Sequence, residues 1–292
     1  MLVSVRQVEV PELGVRFADH AILHTRFRIF VQSRLGFVDD EALLVGHFGR
    51  RLDPARSNVL VSLEGETRVR RPGGDVVLAP GEWLSERRGS GWHLRREASA
   101  TTLIVEWEPT LLGTRLVEPG GTGKLSAKTL QALLHATASM EVRAEAATET
   151  IVAVLRAEGV PLDPIDPGAL VEEVPAPLRQ LVAIVDPALA TLARRPMLVD
   201  VQDALGRSRP PILRYLQAYH DRYAYNASGG WRELLQRWRT TMGVCFMSAP
   251  GATTEGVSQM LGYASPSAFC HALANLGLPS PGAIPARLRE LA

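Results

Sequence analysis

The sequence predicts an α+β protein, with an N-terminal β-barrel, a helical connector and a C-terminal all-α region that contains two helix-turn-helix motifs. Short apolar stretches separated by turn-forming residues fill residues 1–110, a pattern typical of barrels and sandwiches. Amphipathic helical spacing begins after residue 126. A helix, a glycine turn and a capped second helix then follow twice. We expect domains at 1–112, 113–172 and 173–292.

The N-terminal region has strand-like apolar runs between Pro/Gly-rich turns. Turn-formers such as Pro72-Gly73-Gly74 punctuate them because glycine and proline adopt the required backbone angles. The expected strands are Val3–Val10, Leu43–Phe48, Val59–Leu63, Asp75–Leu78 and Thr102–Trp107.

The polar residues of this region do not form an enzyme-like pattern. Of the seven histidines, only His20 and His24 have a metal-ligand spacing, and that segment reads equally well as a helix or a strand. No nucleophile–histidine arrangement is evident, so we expect no enzyme activity, no metal and no cofactor. A set of arginines could bind an acidic effector or prevent the strand edges from pairing with another chain. This set comprises Arg50, Arg51, Arg56, Arg68, Arg70 and Arg71.

The connector is predicted to contain two amphipathic helices. Ser126 is a suitable N-cap for the first helix, and the second is expected at Glu141–Glu158. Their apolar faces could form a homodimer surface or pack on the barrel of the same chain. Residues 159–168 are the best linker candidate. The predicted apolar faces of the two connector helices comprise Leu130, Leu133, Leu134, Val142, Ala146, Ile151, Val152 and Leu155.

The two helix-turn-helix motifs have the same internal logic. Apolar residues face inward on the first helix, a glycine forms the turn, a serine caps the second helix and further apolar residues return to the core. In the first motif these are Val201, Leu205, Gly206, Ser208, Ile212 and Leu216. In the second they are Val257, Leu261, Gly262, Ser265, Phe269, Ala272 and Leu273, with Pro266 at the first helical position.

The second motif resembles the AraC family of bacterial transcription regulators. The similarity runs from Arg237-Trp238-Arg239 through Leu261-Gly262-Tyr263 and Ser267-Ala268-Phe269 to Ser280-Pro281. Ser208, Ile212, Arg214 and Leu216 resemble the family's first motif. The segments Val59–Glu66 and Pro72–Trp83, followed by His93, resemble a cupin barrel core. The resemblance implies a cupin-like sensor joined to a DNA-binding region.

The exposed positions of the two second helices give the predicted contacts to double-stranded DNA. Arginine can read guanine, and glutamine or asparagine can read adenine, while helix N-termini can hold phosphates. We therefore predict a sequence-specific transcription regulator whose barrel binds a small-molecule effector or mediates dimerisation. The alternative is an AraC-like protein with degenerate recognition helices that acts through protein–protein interaction. The predicted DNA-binding residues are Ser208, Arg209, Arg214, Gln217, Arg239, Ser265, Ser267, His271 and Asn275.

Charge and hydropathy suit this interpretation. No run of eighteen apolar residues occurs, so no membrane segment is expected, and the two cysteines fit a reducing cytoplasm. The net charge is +1, but from residue 177 onward there are 12 Arg, no Lys and 7 acidic residues. A basic C-terminal region favours binding to nucleic acid.

Overall fold

The N-terminal half is built on a β-sheet in this computed structural model, which describes residues 1–48, 57–87, 91–107, 120–160, 162, 172–194, 197–223 and 230–292. The described strands follow the order β1-β2-β3-β8-β5-β7-β9, with β4 beside β8 and β6 beside β5. Their bounds are β1 Leu2–Val10, β2 Val15–Leu23, β3 Phe27–Leu35, β4 Asp39–Asp40, β5 Ser57–Arg70, β6 Val76–Leu78, β7 Glu82–Arg87, β8 His93–Trp107 and β9 Thr122–Lys124.

Strand β5 organises the sheet because it is antiparallel to three other strands. It pairs with β8 along its length, with β7 through its first half and with β6 through its second half. The register with β8 shifts on either side of Gly65, where φ is +64°. A Cβ at this position would lie 1.9 Å from the Ser99 carbonyl oxygen, so this turn of the backbone requires glycine.

Alternate residues of β5 are buried on opposite faces of the sheet. Val59 and Val61 belong to a large apolar cluster with the connector helices, whereas Leu60 belongs to a smaller cluster with Leu84 and Ile104. This period of two is the geometry of a pleated strand. The sheet therefore has buried residues on both faces, which explains why β5 reads as a nearly continuous apolar run at its start.

The predicted strands are confirmed with one exception. Leu43–Phe48 is not a strand, because Glu41–Phe48 forms helix α1. The Asp40 carboxylate accepts the backbone N–H of Ala42 at 3.0 Å and so satisfies one of the donors exposed at the start of the helix. A short apolar run fits either a strand or a helix, and the hydrogen bond from Ala42 to Asp40 favours the helix. Strands β2, β3, β4, β7 and β9 were not predicted.

His20 lies on β2 and His24 directly follows that strand, so the two histidines do not share a helix face. His20 Nδ1 lies 2.9 Å from Glu141 Oε1, while His24 is buried and stacks on Phe27. No group of three or more His, Cys, Asp or Glu suited to a metal occurs among the described residues.

The connector helices pack on the sheet of their own chain. Ser126 accepts the N–H of Thr129 at 3.2 Å and caps helix α2, Ala127–Ala138. Helix α3, Ala144–Ala157, buries Ile151 and Leu155 in the large apolar cluster. The prediction that Val142 and Ala146 belong to the apolar face is wrong, because Val142 precedes the helix and Ala146 lies on its exposed side. Most of the predicted linker lies outside the described residues.

The contacts of the chain form two compact units whose limits do not follow chain order. Unit 1 contains Met1–Val5, Ala18–Ser33 and Leu52–Pro175, and unit 2 contains Arg6–Phe17, Arg34–Arg51 and Ala176–Ala292. The later helices of unit 2 are α4 Ala176–Ala190, α5 Leu198–Leu205, α6 Arg209–Tyr223, α7 Gly230–Met247, α8 Thr254–Met260, α9 Pro266–Ala274 and α10 Ile284–Glu290. The three-domain boundaries stay a prediction.

N-terminal residues contribute to the core of unit 2. Arg6 on β1 donates through Nε to Asp186 Oδ1 and through Nη2 to the Tyr219 hydroxyl, each at 3.0 Å. Phe17 on β2 meets the Trp238 ring edge-on, with ring centroids 5.2 Å apart. Helices α4, α6 and α7 are thereby connected through residues near the start of the chain. Helix α4 continues through Pro187.

Candidate DNA-binding surface

The turn of the second motif is fixed by a glycine and by tight packing. Gly262 follows helix α8 with φ of +65°, a conformation that costs little only for glycine. A Cβ there would lie 2.4 Å from the Ala193 carbonyl oxygen. Thr253 caps the preceding helix by accepting the N–H of Gly256 at 3.1 Å. The predicted helix–turn–helix is confirmed here.

Helix α9 of the second motif buries one face and exposes the other. Ser265 accepts the N–H of Ala268 at 3.1 Å, which confirms the predicted N-cap. Phe269, Ala272 and Leu273 are buried. The predicted contact residues Ser265, Ser267, His271 and Asn275 are exposed. Ala268 and Cys270, on the same helix, are half-buried.

The first motif has the same plan with a longer second helix. Gly206 ends helix α5 with φ of +58°, and its N–H bonds the Asp203 carbonyl oxygen at 3.2 Å. Val201, Ile212 and Leu216 are buried as predicted, whereas Leu205 is half-buried. The predicted contact residues of this motif all lie on the exposed side; they are Ser208, Arg209, Arg214 and Gln217.

Helix α7 joins the two motifs. Near its start, a Cβ on Gly230 would approach the Leu213 side chain of α6 at 3.6 Å. Thirteen residues later, Gly243 lies so close to the second motif that a Cβ would meet Phe269 Cε2 at 2.7 Å and Leu261 Cδ1 at 3.1 Å. Trp238 donates its indole N–H to the Leu189 carbonyl oxygen at 2.6 Å. One helix thus fixes the position of both motifs.

Arg239 faces the turn of the second motif. Its Nε donates to the Leu261 carbonyl oxygen at 2.6 Å, and its Nη2 donates to the same atom. The guanidinium carbon lies 4.2 Å from the Tyr263 ring centroid, a distance that suits a cation–π contact. The carbonyl group at the end of a helix needs such a partner. These contacts hold the glycine turn against helix α7, a role that the sequence pattern did not reveal.

Two arginines that the motifs do not single out lie near helix α6, the second helix of the first motif. Arg194, after helix α4, and Arg232, in the first turn of α7, line one groove together with Arg209. Their side chains are exposed. The sequence did not bring them together because they are far apart along the chain, and only the packing of α6 and α7 does so.

The arginines proposed for an acidic effector are partly accounted for by pairs on the sheet. Arg68 Nη1 lies 3.9 Å from Asp75 Oδ2, and Arg71 Nη1 donates to Glu86 Oε1 at 3.0 Å. Arg50, Arg51 and Arg56 lie outside the described residues.

Of the described helices, none is both long enough and apolar enough to cross a membrane.

Comparisons with known proteins give structural neighbours only. No model of a known protein family matches the chain. No curated protein matches its sequence. A crystal structure of ToxT from Vibrio cholerae O395, bound to (E)-4-(8-methylnaphthalen-1-yl)but-3-enoic acid, is 11% identical, with a TM-score of 0.35, and the match covers 91% of this chain and 100% of that one.

Two other solved structures are similar over different lengths. The AraC-like transcriptional activator CuxR is 15% identical, with a TM-score of 0.33, over 99% of this chain and 85% of that one. The EutQ protein of Clostridium difficile is 10% identical, with a TM-score of 0.25, over 35% of this chain and 75% of that one.

Proposed function

We propose that this chain is a sequence-specific DNA-binding transcription regulator of the AraC type. The observation that carries the proposal is the pair of helix-turn-helix motifs on helix α7, each with a second helix that exposes a polar face. A second helix presented in this way fits the major groove, which is wide enough to admit an α-helix. Two such motifs in one chain could contact neighbouring turns of a duplex.

The first motif supplies the stronger proposed contacts. Arg209 and Arg214 are exposed on α6, and a guanidinium group can donate two hydrogen bonds to guanine O6 and N7. Gln217 lies one turn further along the same exposed side and suits adenine. Ser208 precedes the first turn, where backbone N–H groups can bind a phosphate.

The second motif is weaker in charge. Helix α9 contains neither arginine nor lysine, and His271 is its basic residue. Ser265, Ser267 and Asn275 can donate hydrogen bonds to phosphates or base edges. Since salt-dependent affinity grows with the number of cations placed on phosphates, we propose that the first motif dominates binding. The same lack of cations favours the second candidate function, a protein-binding role for α9.

Arg239 was proposed as a DNA contact, and we now propose that it acts by positioning the second motif. Its Nε and one Nη bond the Leu261 carbonyl oxygen, so those donors serve the turn. The sheet of unit 1 is proposed as a cupin-like sensor of a small-molecule effector, and a homodimer is proposed for the assembled regulator. The resemblance of Val59–Glu66 and Pro72–Trp83 to a cupin core supports the sensor.

The test compares Arg214→Ala with Arg179→Ala, an exposed arginine on α4. Binding to the DNA upstream of the protein's own gene is measured by mobility shift over a range of salt concentrations. Arg214→Ala should weaken specific binding by about 1–3 kcal/mol and relax the preference at one base pair, while Arg179→Ala should bind like the unchanged protein. Absence of any shift at low salt would favour the protein-binding role.

A further inference from the structure

A groove beside the first recognition helix combines positive charge with apolar walls. It has a volume of about 500 Å³ and lies within unit 2, between the start of α5, the start of α6 and the first turns of α7. This volume is in the range of sites that hold small organic molecules. Its described lining includes the arginines Arg194, Arg209, Arg232 and Arg239 and no acidic residue.

The positive charge of the groove is not neutralised by neighbouring acids. Arg194, Arg209 and Arg232 are exposed and form no ion pair with a described residue. Arg239 has donors committed to the Leu261 carbonyl oxygen, but its charge remains. Several guanidinium groups around one concave site favour a carboxylate or a phosphate, because these anions accept paired N–H donors.

The walls of the groove include large apolar side chains that are exposed to solvent. Met197 is 65% exposed and Leu213 is 36% exposed, and both line the groove beside Leu198, Trp231 and Leu235. Val199, on the same short helix as Leu198, is another exposed large apolar residue. Apolar side chains gathered in this way mark a binding surface more often than isolated ones do.

We propose that the groove binds an amphipathic anion, a small molecule with a carboxylate or phosphate head and an apolar body. The head lies among Arg194, Arg209 and Arg232, and the body lies against Leu213 and Met197. Neither half of the lining alone selects this ligand, since the arginines would hold any small anion and the apolar wall any hydrophobe. Their combination in one concave site specifies the class.

Occupation of this groove has a consequence for the first motif. Arg209 belongs both to the groove and to the proposed DNA contacts, so a bound anion would compete with a phosphate or a base for the same guanidinium group. This consequence rests on the proposed function. Ligand binding itself does not, and it is measured in the absence of DNA.

The experiment titrates the full chain by calorimetry with octanoate, octyl phosphate, octanol, acetate and inorganic phosphate. Octanoate or octyl phosphate should bind with one site per chain, and the comparison between them identifies the preferred head group. Octanol and the two bare anions should each bind at least about tenfold more weakly, since each lacks one half of the interaction. Octanol binding as tightly as octanoate and octyl phosphate would overturn the proposal.

Two variants locate the site. Arg232→Gln removes a charge outside the proposed DNA contacts, and Leu213→Ser removes part of the apolar wall. Both side chains are exposed, so folding should be retained, and circular dichroism checks this. Each variant should weaken octanoate binding by about tenfold, while Arg287→Gln on α10 should not change it.

Two results of the variant series would refute the assignment. Unchanged octanoate binding in both Arg232→Gln and Leu213→Ser would place the ligand elsewhere. Reduced affinity for a non-specific DNA duplex, together with unchanged octanoate binding, would make the groove a contact surface for the DNA backbone instead.

Discussion

Arg6 should be required for the stability of unit 2 although it lies near residue 1, far in sequence from helices α4, α6 and α7 of that unit. Its side chain is 2% exposed and bonds the carboxylate of Asp186, whose side chain is 6% exposed, and the Tyr219 hydroxyl. Its guanidinium carbon also lies 5.7 Å from the Trp238 ring centroid. The substitution Arg6→Met retains much of the apolar length of the side chain but leaves the Asp186 charge buried without this partner.

The expected magnitude follows from the burial of the pair. Removing one member of a buried ion pair costs about 3–5 kcal/mol, because the remaining charge has been taken out of water. Unit 2 contains about 150 residues, so this loss corresponds to a decrease in its Tm of roughly 10 °C. The matched control is Arg16→Met, which changes an exposed arginine on β2 that also belongs to unit 2.

Hydrogen–deuterium exchange is the suitable assay because it separates the two units. In Arg6→Met, amides of α4, α6 and α7 should exchange faster, whereas amides of α2 and α3 in unit 1 should keep their wild-type rates. The double variant Arg6→Met, Asp186→Leu should recover much of the loss, since an apolar pair replaces the stranded charge. If Arg6→Met and Arg16→Met have equal effects, the buried network does not stabilise unit 2.

Two further predictions concern a turn and a pH-dependent contact. Gly262→Ala should destabilise unit 2 by more than Gly251→Ala. Both glycines have positive φ, a conformation that costs about 1–2 kcal/mol for alanine, but an added Cβ would meet the Ala193 backbone at position 262 and nothing within 4 Å at position 251. Equal urea midpoints for the two variants would contradict this prediction. Hydrogen bonds from the hydroxyls of Thr129 and Ser126 lower the pKa of Glu158, so its stabilising contribution is present at neutral pH and lost as the pH falls through that lowered pKa. Glu158→Gln should therefore reduce Tm at neutral pH and less so at pH about 3, and a pH-independent difference would refute the assignment.

The two helix-turn-helix motifs were predictable because their signals are local. Gly206 and Gly262 follow apolar positions at helical spacing, and both adopt positive φ in the structure. Ser265 caps α9 as its position before a proline indicated. The exposed faces of α6 and α9 follow from the helical period once the buried positions are known.

Other features could not be predicted from the sequence pattern. The apolar run Leu43–Phe48 fits a strand or a helix, and the choice came from the contact between Asp40 and the N–H of Ala42. Arg239 belonged to a motif that suggested a DNA contact, but its donors meet the Leu261 carbonyl oxygen, 22 positions later. The groove arginines share no local pattern at all.

The sequence by itself determined that this chain has a β-rich beginning, amphipathic connector helices and two helix-turn-helix motifs near its end. Those features arise from backbone preferences and side-chain periods that act over a few residues. Only the tertiary structure decided that Arg6 joins the core of the helical unit and that Arg194, Arg209 and Arg232 surround one groove. Such groupings depend on which faces of distant elements bury together, and that is settled by the packing of the whole unit.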